Sequence, residues 1–446
     1  MKQERAVTVL EVGGAIVDRE TVYRQPVHIV LEGPSIVRLG EGAYAAQPGE
    51  VVVRRWRKLD RIAIPGLVNV HGHAAMTLLR GAGDDLPLMV WLQERIFPME
   101  ARLTRECVYW GTQLACWEML LSGTTAYADM YMMMDAAAEA VAESGMRALL
   151  SIGLAGTDPA VQAEKLRESR AFVQAWHGAL DGRIQVALGP HAPYTCPEPF
   201  LTQIADLAAE LGVGIQIHLS ETRGEVDQFL AQEGLTPIGL AERAGLFRVP
   251  TLAAHCVHAT QNDIEILRAH DVRVAHNPQS NLKLGSGIMP LGQMLSRGVT
   301  VGLGTDGAAS NNNLDMFEEL RLAATLHKGV NEDATAVDAA TAFALATEWG
   351  ARALFMPEGF GTLRPGAPCD IVLLDAHSPH FAPSHDLLSD VVYAAGADDV
   401  RDVIVAGEWV MQNREPTALD TERIRYEARR LKDVLTGHTS SSNVES

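Results

Sequence analysis

Along the first sixty residues the apolar positions come in short β-branched runs, Val7–Val9, Gly14–Val17, Val27–Leu31, Ile36–Leu39 and Val51–Val53, broken by Gly and Pro. No helical period appears among them, so this stretch predicts strands alone. From Pro65 the rhythm changes to apolar run, then helix, repeated. The runs are Leu67–Val70, Thr124–Ala128, Arg147–Ile152, Ile184–Leu188, Gly214–Ile217, Thr251–Ala254, Val272–Ala275 and Thr300–Leu303. Between them lie helical stretches such as Thr104–Ser122 and Glu198–Leu211, stopped by Gly123 and Gly212. Gly is the residue that ends a helix most readily, because it accepts the left-handed turn. Eight strand–helix repeats predict an α/β fold of the (β/α)8 TIM-like barrel type. An open doubly wound sheet also alternates, but no Gly-x-Gly-x-x-Gly follows the first run. After the helix Thr341–Leu354 the β-rich texture returns, in Gly361–Asp375 with its strand Ile371–Leu374 and in Val400–Trp409. The expected layout is a barrel over 65–360 and a small β-sandwich shared by 1–64 and 361–420. A closing helix over 421–436 and a disordered tail over 437–446 complete it.

Composition narrows the class. The 446 residues are 47% hydrophobic and 21% charged, those of an ordinary globular protein, with no apolar run long enough to span a bilayer. The amino terminus lacks the apolar core and cleavage site of a signal peptide. Five scattered cysteines, never in a Cys-x-x-Cys pair, argue against a disulfide framework and for a reducing cytoplasm. A formal net charge of −19 repels phosphate backbones, which argues against nucleic acid as a partner.

The chemistry lies at the ends of the runs. In Val70-His71-Gly72-His73 the two imidazoles are one residue apart, and residues i and i+2 of an extended chain point the same way. Two co-directed neutral imidazoles make a divalent-metal clamp of the kind Zn or Fe prefers. A barrel of this type places its active site where the strands end. The fourth to eighth runs lead into His191, His218, His255, His276 and Asp306. Any one of these is explained by packing, and Asp306 by helix capping; fifteen histidines in 446 residues do not fall on so many strand ends by accident. No Lys stands near Gly189-Pro190-His191 to supply a bridging carbamate, so the expectation is one metal, held by three His and one Asp, with a position left open for water. Glu221, three residues past His218, is the candidate proton carrier.

These residues resemble the amidohydrolase superfamily, and within it the 5-methylthioadenosine/S-adenosylhomocysteine deaminases. The resemblance runs through Pro65–His73, Met76–Gly81, Trp91-Leu92, Gly189–His191, His218–Thr222, Ala254–His258, His276–Pro278 and Gly304–Gly307. s-Triazine chlorohydrolases and guanine deaminases share much of it. The resemblance implies His71, His73, His218 and Asp306 as ligands of one divalent ion, Zn2+ first and Fe2+ as the other candidate. It implies His255 as a contact to the attacking water, Glu221 as the proton shuttle to a purine ring nitrogen, and Asp306 as acceptor of the water's proton. It further implies Glu100 as the ribose ligand, His191 as a second ribose or purine contact, and Trp91 as part of the substrate pocket. The implied partner is a small nucleoside, with no nucleic acid and no membrane, and with a homodimer or larger homo-oligomer as the assembly. The H-x-E and P-C-x-x-C signatures of base-flipping zinc deaminases are absent. Three functions stay open: a deaminase of adenosine-type nucleosides, a triazine amino- or chlorohydrolase, and a non-catalytic purine-binding barrel. Within the first, 5'-methylthioadenosine is expected over S-adenosylhomocysteine. The place where relatives carry an Arg for the homocysteine carboxylate reads Ile152 here, and Arg147 is the nearest substitute.

Overall fold

The computed structural model describes residues 4–437, so all of the expected tail except Gly437 lies outside the described residues. The amino-terminal runs are longer and more continuous than their sequence suggests. Arg5–Ile16 and Glu50–Pro65 are single strands paired in parallel, with a register shift at Gly13 absorbing the glycine pair. The charged stretch that hides the second strand is held by cross-strand ion pairs. Arg55 meets Glu11 at 2.7 Å, Lys58 meets Asp402 at 3.2 Å, and Arg54 meets Glu408 at 3.8 Å.

Strands from both ends of the chain form one nine-stranded sheet, in which Ile371–Asp375 pairs antiparallel with Arg61–Pro65. The sheet curls until its far strand, Ser35–Glu41, meets the segment leading into Ile371. Ile36 N–H donates to Ala367 O and Gly366 N–H to Ile36 O. Ile29, Leu31 and Ile36 therefore share an apolar core with Ile371, Leu373 and Ile404. That enclosed core gives the sheet its sandwich character.

The eight barrel strands are Leu67–Asn69, Thr124–Tyr131, Arg147–Leu154, Ile184–Val186, Ile215–Leu219, Thr251–His255, Arg273–His276 and Val301–Leu303. All pair in parallel in two arcs, and the fourth resumes as Gly189–Pro190 beyond a short interruption. Two seams close the ring. Leu188 N–H donates to Gly214 O at one, and Val70 N–H to Leu303 O and Asp306 N–H to His71 O at the other. Both faces of each strand are buried, which explains their near-continuous apolar character. Small inward residues, Ala126, Ala128, Ala254 and Ala275, fill the narrow interior over Val68 and Leu149, and Leu354 closes the base.

Helices wrap the outside, with Thr104 and Thr222 capping Arg105–Leu121 and Arg223–Glu233. The expected helix Thr341–Leu354 is interrupted at Thr347 into Ala339–Ala346 and Glu348–Ala353. The closing helix, Thr421–Thr436, lies on Arg105–Leu121, with Arg423 over Trp110 and Arg425 over Trp117. No helix among the described residues is long and apolar enough to cross a membrane.

Candidate active site

The seam between the first and last strands puts His71 and Asp306 side by side, joined through Asp306 N–H to His71 O at 3.0 Å. Gly304 makes this possible, because a Cβ there would lie 2.9 Å from His71 N and 2.5 Å from Asn277 Oδ1. Asn69 pins the same seam from below, donating to Thr305 Oγ1 at 2.7 Å and accepting Thr305 N–H at 3.0 Å.

The metal-type donors converge. Nε2 of His73 lies 3.3 Å from Asp306 Oδ1, and that of His71 3.6 Å from it. The donor nitrogens of His71, His73 and His218 all lie within 4.8 Å of one another. His73 Nδ1 is 2.6 Å from Met130 O and His218 Nδ1 is 2.6 Å from His191 O. A carbonyl only accepts, so both Nδ1 atoms carry the proton and both Nε2 atoms are the ring positions left to bind an ion. Those two Nε2 atoms lie 3.4 Å apart, beside a carboxylate oxygen. His71 Nε2 is buried with no hydrogen-bond partner. Burial pushes His71 and His218 well below the ordinary imidazole range, which keeps them neutral. Burial lowers His73, and the Asp306 carboxylate more than offsets it, to about 9, so without an ion a proton on His73 Nε2 answers Asp306. A divalent ion would take that proton's place, and this donor set fits one.

Asp306 is held for that task. Its Oδ2 accepts from Ser280 at 2.6 Å and Ser310 at 2.8 Å, its Oδ1 accepts Gly307 N–H at 2.8 Å, and its own φ is +62°. Ser220 (φ +52°) and His255 (φ +73°) share this left-handed backbone, uncommon outside glycine. Strain gathered at one site marks a constellation held against local preference.

Beside the donors lies a buried acid and base. His255 Nδ1 lies 2.8 Å from Asn281 Oδ1, leaving Nε2 to face Glu221 Oε2 at 3.9 Å. Ser286 donates to Glu221 Oε1 at 3.1 Å. Burial drives the Glu221 carboxyl above its usual range, with the His255 charge opposing and that of Asp306 adding.

All of this opens into one cavity of about 300 Å3. Met76, Leu88, Trp91, Leu92, Ile96 and Phe97 give it an apolar wall. Glu100 faces it too and accepts from the Tyr131 hydroxyl at 2.7 Å. Burial raises the Glu100 carboxyl, with Tyr131 opposing. His191 lines the cavity with Nδ1 against Thr195 Oγ1 at 2.9 Å, and burial holds it down at about 4.

Nine of the expected site residues thus meet around one space: His71, His73, Trp91, Glu100, His191, His218, Glu221, His255 and Asp306. Arg147 does not. It begins its strand at the opposite pole, where its guanidinium donates to Asp370 Oδ2 at 2.7 Å and Oδ1 at 3.1 Å and lies over Phe360. A side chain spent on that pair has no reach to substrate. Ile152 also departs from expectation. It is buried in the layer between strands and helices, and Gly153 is the residue that faces the cavity. His276 turns away to His327, 3.0 Å between Nε2 atoms. Sequence reasoning missed Tyr131 because the apolar run it reads stops at Ala128, whereas the strand continues to Tyr131. It missed Ser280, Ser286 and Ser310 because a serine carries no signal of its own; Ser280 lies on the helix Pro278–Lys283 and Ser310 four residues past Asp306.

A sequence profile of the amidohydrolase family matches residues 62–410. A 5-methylthioadenosine/S-adenosylhomocysteine deaminase from Dictyoglomus thermophilum is 54% identical over 369 residues, 83% of this chain and 86% of that one. One from Pelotomaculum thermopropionicum is 48% identical over 429 residues, 96% of each chain. The crystal structure of an adenosine deaminase from Xanthomonas campestris with bound zinc superposes with a TM-score of 0.91 at 36% identity, covering 98% of this chain and all of that one. With the strand-end donors in the arrangement described, the chain belongs to the amidohydrolase family.

Proposed function

We propose that this protein is a hydrolytic deaminase of adenosine-type nucleosides, with Zn2+ held by His71, His73, His218 and Asp306. The observation that carries the proposal is the convergence of three imidazoles and one carboxylate in metal-ligand positions, next to a buried acid and at the floor of a cavity whose wall holds a second carboxylate. Relatives curated as nucleoside deaminases, alike over nearly the whole chain, support it.

When bound, the ion lowers the pKa of a water toward ~7 and so supplies the nucleophile for the amino-bearing carbon. The chain's own groups handle the protons. Glu221, whose carboxyl burial raises above its usual range, donates to the ring nitrogen next to that carbon, while Ser286 holds its Oε1. His255 Nε2 orients the attacking water, and Asp306 Oδ1 accepts its proton. Passage of that proton from Asp306 to the amine lets it leave as ammonia, and Glu221, having given its proton to the ring, is reprotonated when the next water is ionised. Glu100 grips the ribose hydroxyls, and Tyr131 fixes the carboxylate that does so. His191 offers Nε2 to a sugar or purine group, and Trp91 packs against the apolar part of the substrate.

The group on the 5' carbon is the finer question. Among the described residues lining the cavity there is no Lys or Arg, while Glu100, Glu221 and Asp306 bring carboxylates to it. A methylthio group gains from Leu88, Leu92 and Phe97, whereas a homocysteine carboxylate would be desolvated with no Lys or Arg of this lining to pair with it. The preference for 5'-methylthioadenosine stands on this lining and not on Ile152. A triazine reading leaves Glu100 without a diol to bind. Five free, buried cysteines support a reducing, cytoplasmic setting.

The test is ammonia release from 5'-methylthioadenosine, S-adenosylhomocysteine, adenosine and an s-triazine on one preparation. The highest kcat/KM is expected for 5'-methylthioadenosine. A value for S-adenosylhomocysteine as high would refute the preference, and turnover of the triazine alone would refute the nucleoside reading.

A further inference from the structure

The stretch Thr222-Arg223-Gly224-Glu225 has the spacing of an ordinary capping box at the start of the helix Arg223–Glu233. Its first half is present, since Thr222 Oγ1 accepts Glu225 N–H at 3.2 Å. Its second half departs from the pattern. Glu225 Oε2 passes the Thr222 N–H and accepts the N–H of Glu221, one residue further back, at 2.8 Å. Its Oε1 is buried without a hydrogen-bond partner. A buried carboxylate with one oxygen unpaired is a costly way to cap a helix that already has Thr222. The held segment is itself strained, with Ser220 at φ +52° just before Glu221.

We propose that Glu225 is a positioning residue that clamps the Ser220–Glu221 turn and so aims the Glu221 carboxyl at the substrate ring nitrogen. The proposal rests on the reading of Glu221 as proton carrier given above. Glu221 is then fixed from two sides, its main chain by Glu225 and its carboxyl by Ser286. The titratable groups around Glu225 are Glu221 on the same turn, His255 and Cys256 from the end of the sixth strand, and Tyr194 from the loop after the fourth. Burial pushes Glu225 up to about 7, with the Glu221 N–H opposing and the Glu221 charge adding, so the two carboxyls share their proton affinity.

The test uses the metal-loaded enzyme and ammonia release from 5'-methylthioadenosine, with metal content and thermal midpoint measured on the same preparations. Glu225→Ala is expected to lower kcat about 10- to 100-fold, with metal retained and KM within about threefold. Glu225→Gln keeps an acceptor for the Glu221 N–H but no charge. Its kcat at the optimum should stay within about fivefold of wild type, and the limb of the pH profile reporting Glu221 should move to lower pH by ~0.5 unit or more. Thr222→Ala removes the capping half alone, and should lower the thermal midpoint with kcat within about twofold. Equal losses in Thr222→Ala and Glu225→Ala with an unmoved pH limb would mean a structural cap and overturn the proposal. So would a Glu225→Ala enzyme with wild-type kcat beside an inactive Glu221→Gln. An active Glu221→Gln would instead overturn the reading on which the proposal rests.

Discussion

At the start of the strand Arg147–Leu154 the Arg147 guanidinium is paired twice with Asp370, and Asp370 also accepts Ala406 N–H at 2.8 Å. At the other end of the same strand Gly153 opens onto a cavity where His71 Nε2 has no partner and the Nε2 atoms of His73 and His218 lie 3.4 Å apart. Both ends are buried, so in both an unpaired polar atom is costly. The lower end satisfies its charges within the protein and joins barrel to sheet. The upper end leaves its acceptors for a ligand to satisfy. Burial and charge alone do not mark a functional group; here the mark is metal-type side chains converging on one point at a cavity.

The contrast can be broken first at the upper end. His71→Ala removes one of four convergent acceptors and should lower deamination by about three orders of magnitude or more, with metal content falling in parallel. Full activity in a metal-depleted preparation would contradict the account. Breaking the lower end should give the opposite phenotype. Arg147→Met leaves Asp370 charged and unpaired, so unfolding free energy should fall by ~3–5 kcal/mol. KM and kcat at a temperature well below the new midpoint should stay near wild type. A raised KM at unchanged stability would return Arg147 to the substrate site.

These two variants also show what was legible in the sequence. His71, His73, His218 and Asp306 could be read because a barrel strand end has one address, and residues just past an apolar run inherit it. Glu221 followed from its distance to His218. Arg147 was misassigned because its position within the run matters more than its chemistry, and it stands at the first residue, the pole away from the cavity. Ile152 was misassigned by one residue of strand parity, which sends a side chain to the opposite face. The strand Glu50–Pro65 was hidden because the partners of its charged residues, Glu11, Asp402 and Glu408, are distant in sequence.

Smaller effects sharpen the comparison. Glu100→Ala should weaken nucleosides by ~1.5–3 kcal/mol of binding and leave free bases nearly unaffected. Equal losses for both in kcat/KM would remove Glu100 from the ribose site. Glu319 belongs to the satisfied kind although it lies at the upper end, accepting Gln279 N–H and the Asn311 amide beside the two serines that hold Asp306. Burial pushes it up to about 8 from its ordinary 4.5, with those donors opposing. The folded state therefore holds this proton more tightly than the unfolded chain. Its contribution is full below about pH 4.5 and is lost as pH rises through about 8. Glu319→Gln should flatten that decline in denaturant midpoints taken at several pH values; an unchanged slope would mean that Glu319 titrates normally.

The most direct test of the upper end is Glu221→Gln, with bound metal, thermal midpoint and ammonia release from 5'-methylthioadenosine measured together. The account predicts metal and midpoint close to wild type with turnover lowered by about two to four orders of magnitude. Turnover within a fewfold of wild type, with metal bound and the fold intact, would contradict it.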